Sequence, residues 1–139
     1  GWAQTNRSAL IRIPRYTKGM DKATRAELRC PDPSTNPYLA FTAMFAAAMD
    51  GIENNAMPPA PLNNVNIYHL TERERARMKI GSLPGSLAEA LTELDKDTVL
   101  KNALGEAIYD SFTRAKWADW DEYRLHVTDW EVDHYLETA

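Results

Sequence analysis

A cluster of basic residues surrounds one carboxylate near the beginning of the sequence. Glu27 stands between two arginines within residues 25–30, and Arg7 and Arg12 occur a short distance earlier. The guanidinium fork matches phosphate oxygens, and a carboxylate among phosphates is a hard oxygen ligand for Mg²⁺ or Mn²⁺. The cluster is therefore suited to a polyphosphate and a divalent metal. The alternative is a solvated, charged strand edge with local ion pairs.

Two short strands are predicted to position this cluster. Residues 8–13 are rich in isoleucine, and residues 25–30 alternate charged with apolar side chains. Because side chains alternate along a strand, Arg25, Glu27 and Arg29 should share one face of the second strand. Residues 14–24 between the strands are predicted to form a loop. A two-stranded ribbon is marginal by itself, so we expect both strands to belong to a larger sheet.

A mainly helical region is predicted to follow the strands. Asn36 and Pro37 are a suitable N-cap and first residue for a helix that reaches about Asp50. This helix is apolar nearly all round and is therefore predicted to be buried. Residues 54–66 are predicted to form an irregular connection. Further helices are predicted at residues 71–78, at residues 86–94, from Asp95 or Asp97 to about Leu104, at residues 105–123 and at residues 129–136.

Composition narrows the class of protein. A chain of 139 residues is one domain or part of one, and 44% hydrophobic residues are enough for a core. The net charge of −4 argues against nucleic-acid binding, which usually needs a basic face. The longest apolar run, near residues 38–49, is too short to span a membrane. Cys30 is the only cysteine, which excludes an internal disulfide and fits a reducing compartment.

The cationic cluster lies in two segments that resemble the glutamine synthetase family. They read Asn6-Arg7-Ser8-Ala9-Leu10-Ile11-Arg12-Ile13-Pro14, and Arg25-Ala26-Glu27-Leu28-Arg29-Cys30-Pro31-Asp32-Pro33 followed by Asn36-Pro37-Tyr38-Leu39. The likeness continues through Leu83-Pro84-Gly85-Ser86-Leu87 and Val127-Thr128 with Trp130-Glu131, which are similar to the type I bacterial and archaeal enzymes. The whole chain, residues 1–139, thus resembles the C-terminal part of the catalytic domain of a type I glutamine synthetase.

This resemblance implies an α+β fold with two antiparallel strands of a larger sheet followed by a mainly helical region. Residues 1–37 would hold the active-site strands and loop, and residues 38–139 the helices. In type I enzymes the last helix, here within residues 127–136, inserts into the opposite ring of a dodecamer made of two hexameric rings. The alternative is an amphipathic helix that packs on its own subunit.

The family is a cytoplasmic ligase of nitrogen metabolism, and the resemblance implies its chemistry. It makes glutamine from glutamate, ammonium and ATP through γ-glutamyl phosphate, with Mg²⁺ or Mn²⁺ bound. By resemblance, Glu27 is a metal ligand and Arg7 is the catalytic arginine that meets the transferred phosphoryl group. Arg7 and Arg29 would lie near the substrate glutamate. The implied contacts to ATP are Arg7, Arg12, Lys22 and Arg25.

The resemblance also implies that the active site is incomplete in this chain. The family's other metal carboxylates, its metal histidine and its flap glutamate lie upstream, so we expect the chain alone to be inactive. Two alternatives remain: a related γ-glutamyl-amine ligase with another amine substrate, and a non-catalytic fragment that retains only assembly. Tyr68 resembles a tyrosine that is adenylylated in one subgroup, but its following residues differ, so a loop tyrosine with its hydroxyl in water is expected.

Overall fold

Three short strands form the sheet that carries the predicted site. In the computed structural model they are β1 (Trp2–Ala3), β2 (Ile11–Arg12) and β3 (Glu27–Leu28), in the order β1-β2-β3. β2 and β3 pair antiparallel, which confirms the predicted arrangement of the two strands. Regular pairing is shorter than residues 8–13 and 25–30. Proline, which cannot donate to a strand ladder, follows closely behind both β2 and β3.

The first strand, β1, was not predicted from the sequence. It pairs in parallel with β2, and Trp2 lies opposite Ile11. The connection between them, residues 4–10, is far shorter than the usual crossover between parallel strands. A strand of two residues carries no hydrophobic periodicity, so the sequence offers no signal for it.

Helix α1 (Pro37–Glu53) begins where the sequence predicted. The side-chain oxygen of Asn36 accepts hydrogen bonds from the backbone N–H of Tyr38 at 3.0 Å and of Leu39 at 3.4 Å. The prediction that this helix is buried is wrong for this chain. None of its residues is buried, and Phe45 is 70% exposed. No other described helix or strand packs extensively against α1, so much of its apolar surface stays uncovered within residues 1–137.

The remaining predicted helices are present with bounds close to those expected. They are α2 (Glu72–Arg77), α3 (Leu87–Lys96), α4 (Thr98–Leu104), α5 (Glu106–Leu125) and α6 (Asp129–Tyr135). Of the two candidate caps for α4, Asp97 is the one used, and it accepts from the N–H of Leu100 at 3.0 Å. Gly105 joins α4 to α5 with φ +73°, a conformation that favours glycine.

The structure describes residues 1–137, and their contacts divide the chain into two units. The first, Gly1–Ser82, contains the sheet, α1 and α2, and its buried apolar residues are Ala3, Ala9 and Leu62. The second begins at Leu83 and contains α3 to α6, with Leu91 buried where α3, α4 and α5 pack together. The predicted functional division at residue 37 stays a prediction. Among residues 1–137, no helix combines the length and the apolar character that a membrane span requires.

Candidate functional site

The carboxylate of Glu27 lies between two guanidinium groups on the β2–β3 face. Arg12 is opposite Glu27 in the strand register, so the two side chains are neighbours. Nη2 of Arg12 donates to Oε1 of Glu27 at 3.2 Å. Arg25 donates to the same oxygen through Nε at 2.8 Å, and its Nη2 also lies 2.8 Å from it. One anion therefore holds two cations on this face, and Oε1 is the crowded oxygen.

The second oxygen of Glu27 is much less engaged. Oε2 lies 2.8 Å from Nε of Arg12. The N–H bond is not directed at Oε2, however, so this buried nitrogen has an ion-pair partner but no hydrogen-bond acceptor within residues 1–137. The Arg12 and Glu27 side chains are only 29% and 27% exposed, which reduces screening by water. Oε2 thus has an ion pair with Arg12 but accepts no hydrogen bond within residues 1–137, and the N–H of Arg12 has no acceptor there.

The other predicted cationic side chains lie exposed on the surface. Lys22 lies on a 3₁₀ turn, Asp21–Ala23, and Arg29 directly follows β3, where its backbone N–H donates to the carbonyl of Leu10 at 2.9 Å. The side chains of Arg7, Lys22 and Arg29 are exposed and form no hydrogen bond or ion pair within the described part of the chain. Exposed, unpaired cations of this kind are available to an anionic ligand.

Arg7 lines a shallow cavity of about 390 Å³ that is largely open to solvent. Amide and hydroxyl side chains dominate the rest of the lining, which consists of Thr5, Asn6, Ser8, Asn63, Asn64, Val65, Asn66 and Tyr68. This combination of one guanidinium group with neutral polar groups suits an anionic, polar ligand. Tyr68 is 81% exposed on a 3₁₀ turn (Ile67–His69), as expected for a surface tyrosine. Neither Arg12 nor Glu27 lines the cavity, so the structure does not gather all the predicted site residues around one void.

Part of the cavity wall was missed by sequence reasoning. Asn6 and Ser8 flank Arg7, and their side chains bind the loop at residues 62–67. The spacing of asparagine two residues before serine is a signal for a local side-chain turn. The loop that completes the wall lies 56 residues further along the chain from Asn6 at its nearest contact, and no local pattern links the two.

A carboxyl shortly after β3 in the sequence has a lowered pKa. Asp32 lies in the turn between β3 and α1, and its Oδ1 accepts from the hydroxyl and from the backbone N–H of Ser34. The hydroxyl first, and the N–H second, lower the pKa of Asp32 below its ordinary value because both stabilise the ionised form. Asp32 is therefore a turn-forming anion at neutral pH.

A metal site can be only partly built from this chain. Among the described residues there is no group of three or more histidine, cysteine, aspartate or glutamate side chains that could hold a metal ion. Mg²⁺ takes about six oxygen ligands in near-octahedral geometry. The chain therefore fits a divalent cation as the donor of one carboxylate, through the available Oε2 of Glu27.

A small sheet followed by helices makes this an α+β chain, and the sheet carries cationic side chains around a single carboxylate. The family described as "Glutamine synthetase, catalytic domain" matches residues 1–135. The chain therefore belongs to the glutamine synthetase catalytic-domain family, as its motifs predicted.

Individual relatives agree with this assignment. The chain is 54% identical to the glutamine synthetase of Thermus thermophilus over 99% of its own length and 30% of that protein. It is also 54% identical to the glutamine synthetase of Thermotoga maritima, over 97% of this chain and 30% of the relative. A solved structure described as a GmaS/ADP complex matches with a TM-score of 0.80 and 33% identity, covering 99% of this chain and 29% of that one. The chain thus spans about 30% of the length of these curated relatives.

Proposed function

We propose that this chain is part of a glutamine synthetase subunit and supplies the nucleotide-phosphate side of its active site. The complete subunit would ligate ammonium to glutamate at the expense of ATP, through γ-glutamyl phosphate. The observation that carries the proposal is the Glu27 carboxylate with its Arg12 and Arg25 partners, in a chain that is 54% identical over nearly its whole length to named glutamine synthetases. The similar GmaS structure is a complex with ADP, which supports a nucleotide here too.

Each cation has a chemical role in this proposal. Arg12, Lys22 and Arg25 would bind ATP phosphates, since guanidinium and ammonium groups neutralise phosphate oxygens. Arg7, the one charged residue among those that line the cavity, would bind ATP and meet the phosphoryl group during transfer. Arg29 would bind glutamate or that same group. Phosphoryl transfer depends mainly on such positioning and charge stabilisation, because little covalent chemistry is left to the protein.

A bound Mg²⁺ or Mn²⁺ would neutralise phosphate charge in the complete site. Glu27 would hold it through Oε2, the oxygen that accepts no hydrogen bond within residues 1–137. Arg25 would keep Oε1 in place through its two nitrogens, each 2.8 Å away. This division gives one oxygen of the carboxylate an orienting task and leaves the other for the cation.

Surface area supports a larger parent subunit. The chain exposes 11529 Å². Two compact units of these sizes, fully separated, would expose only about 8,800 Å². Large apolar side chains are part of the exposed surface: in α1 alone Tyr38, Phe41 and Phe45 are 82%, 68% and 70% exposed. We propose that the rest of the subunit covers α1.

We further propose a cytoplasmic dodecamer of two hexameric rings, in which the last helix contacts the opposite ring.

The test is an assay of the complete subunit with glutamate, ATP and Mg²⁺. We expect glutamine and inorganic phosphate in equal amounts with ammonium, and little product with organic amines such as methylamine. Preference for an organic amine would favour the related γ-glutamyl-amine ligase. The 139-residue chain alone should yield no product. Assembly of the complete protein without any ligation would instead favour the non-catalytic alternative.

A further inference from the structure

The side-chain amide of Asn6 uses its full hydrogen-bonding capacity. Its Nδ2 donates to the carbonyl of Leu62 at 2.7 Å and to the carbonyl of Val65. Its Oδ1 accepts from the backbone N–H of Ser8 at 2.9 Å and from the hydroxyl of Ser8 at 2.7 Å. Two donors and two acceptor positions are all that an asparagine side chain has. The N–H of Ser8 fixes which side of the amide is oxygen, because it needs an acceptor there.

Further bonds tie the same loop to the strand and turn before β2. The backbone N–H of Ile67 donates to the hydroxyl of Ser8 at 3.3 Å. The N–H of Gln4 donates to the side chain of Asn63 at 2.8 Å, and the N–H of Leu62 donates to the carbonyl of Trp2 at 2.9 Å. Residues 62–67 are therefore held along their length, with Asn6 as the contact that reaches two carbonyls at once.

Arg7 lies between the two residues that make this attachment. Its own side chain has no hydrogen-bond or ion-pair partner within residues 1–137. The cavity at Arg7 has residues 5–8 on one side and residues 63–66 with Tyr68 on the other. The width of that cavity is thus set by bonds from Asn6 and Ser8, neither of which carries charge.

We propose that Asn6 is a positioning residue that clamps residues 62–67 against the turn carrying Arg7. The inference rests on the proposed function, because it takes Arg7 to meet the phosphoryl group during transfer. Loss of the clamp should displace Arg7 and the opposite wall while Arg12, Lys22 and Arg25 stay in place. The turnover number should therefore fall more than the affinity for ATP does.

The experiment uses the complete subunit with Asn6→Asp, which keeps the size of the side chain but turns a carboxylate oxygen toward two carbonyls. Asn102→Asp is the matched control, because Asn102 is exposed on α4 and its side chain forms no bond within the described residues. Ser8→Ala is a milder change, which removes the hydroxyl that accepts from the N–H of Ile67. Ser8→Thr keeps a hydroxyl at this position and should retain that bond. Readouts are hydrogen–deuterium exchange of residues 62–67, and kcat and KM for ATP.

Asn6→Asp should speed exchange in residues 62–67 about tenfold, because the loop loses the two hydrogen bonds that hold its Leu62 and Val65 carbonyls and therefore opens more often. Its kcat should fall about 100-fold, with a smaller change in KM for ATP, because misplacing a reacting group by about 1 Å has an effect of this size. The exchange rate and kcat of Ser8→Ala should lie between those of wild type and Asn6→Asp. Ser8→Thr and Asn102→Asp should match wild type in both.

Two results would overturn the clamp. Unchanged exchange in both Asn6→Asp and Ser8→Ala would show that these bonds do not hold the loop. Faster exchange with an unchanged kcat would show that the loop does not position Arg7. A wild-type subunit that makes no glutamine would contradict the proposed function instead, and the exchange measurement would still decide whether Asn6 holds residues 62–67.

Discussion

Replacing Phe45 with serine should have opposite effects in the complete subunit and in the 139-residue chain. Phe45 is 70% exposed on α1, next to the equally exposed Phe41. A phenylalanine buries about 200 Å² when fully covered, so covering the exposed part would remove about 140 Å² from water. At about 25 cal/mol per Å², that burial contributes about 3.5 kcal/mol. The magnitude applies only if another part of the subunit covers α1.

In the complete subunit, Phe45→Ser should lower the free energy of unfolding by about 3 to 5 kcal/mol, measured by urea denaturation. Phe45→Leu keeps an apolar side chain and should cost less than about 1.5 kcal/mol. In the 139-residue chain, the serine variant should instead increase solubility and reduce the fluorescence of a bound hydrophobic dye, since it removes exposed apolar surface. Equal stability of the wild-type and Phe45→Ser subunits, within about 0.5 kcal/mol, would refute the reasoning, because exposed positions behave that way.

Three other substitutions test the two units. Asn36→Ala removes the N-cap of α1 and should cost about 1 kcal/mol in urea denaturation, whereas Asn36→Asp retains a cap and should cost less. Leu91→Ala should cost about 2 to 5 kcal/mol because Leu91 is only 3% exposed, and a near-native value would contradict its burial. Lys101 first, and Tyr109 second, lower the pKa of Asp95 below 3.8. Because the folded pKa is depressed, the stabilisation is present above the unfolded value and is lost as pH falls through the folded one. Asp95→Asn should therefore be less stable than wild type at neutral pH, and in acid-titration melts the difference should shrink as pH falls below about 3.8 and vanish below the folded pKa of Asp95.

Local chemistry made much of the fold predictable. Asn36 before Pro37 marks a helix start through capping and a fixed backbone angle, and α1 begins there. The alternation around Glu27 predicted its charged neighbours on one face, and the structure pairs Glu27 with Arg25, which lies just before β3. Signals of this kind depend on residues a few positions apart, so a sequence displays them directly.

Long-range contacts were beyond the sequence patterns. The bond from Asn6 to Leu62 joins residues 56 positions apart, and the cavity wall follows from it. The alignment of Arg12 opposite Glu27 depends on the path of the loop between β2 and β3, which shows no periodicity. Burial of α1 was predicted from its apolar composition alone. An apolar composition indicates that the helix needs a partner surface, but it does not say whether that surface lies within this chain.

Glu27→Gln in the complete subunit tests the central claim most directly, by the Mg²⁺ dependence of glutamine formation. Glutamine keeps the size of the side chain but removes its negative charge. That charge, paired with Arg12 and Arg25, is the one that would hold the metal cation. The rate at saturating Mg²⁺ should fall at least about 100-fold. Even loss of a group that only hydrogen-bonds to a metal ligand typically lowers activity by about 10- to 100-fold. Glu93→Gln, an exposed change on α3 that removes only a contact to Lys96, should leave the rate unchanged. A Glu27→Gln enzyme with the wild-type rate and Mg²⁺ dependence would contradict the account.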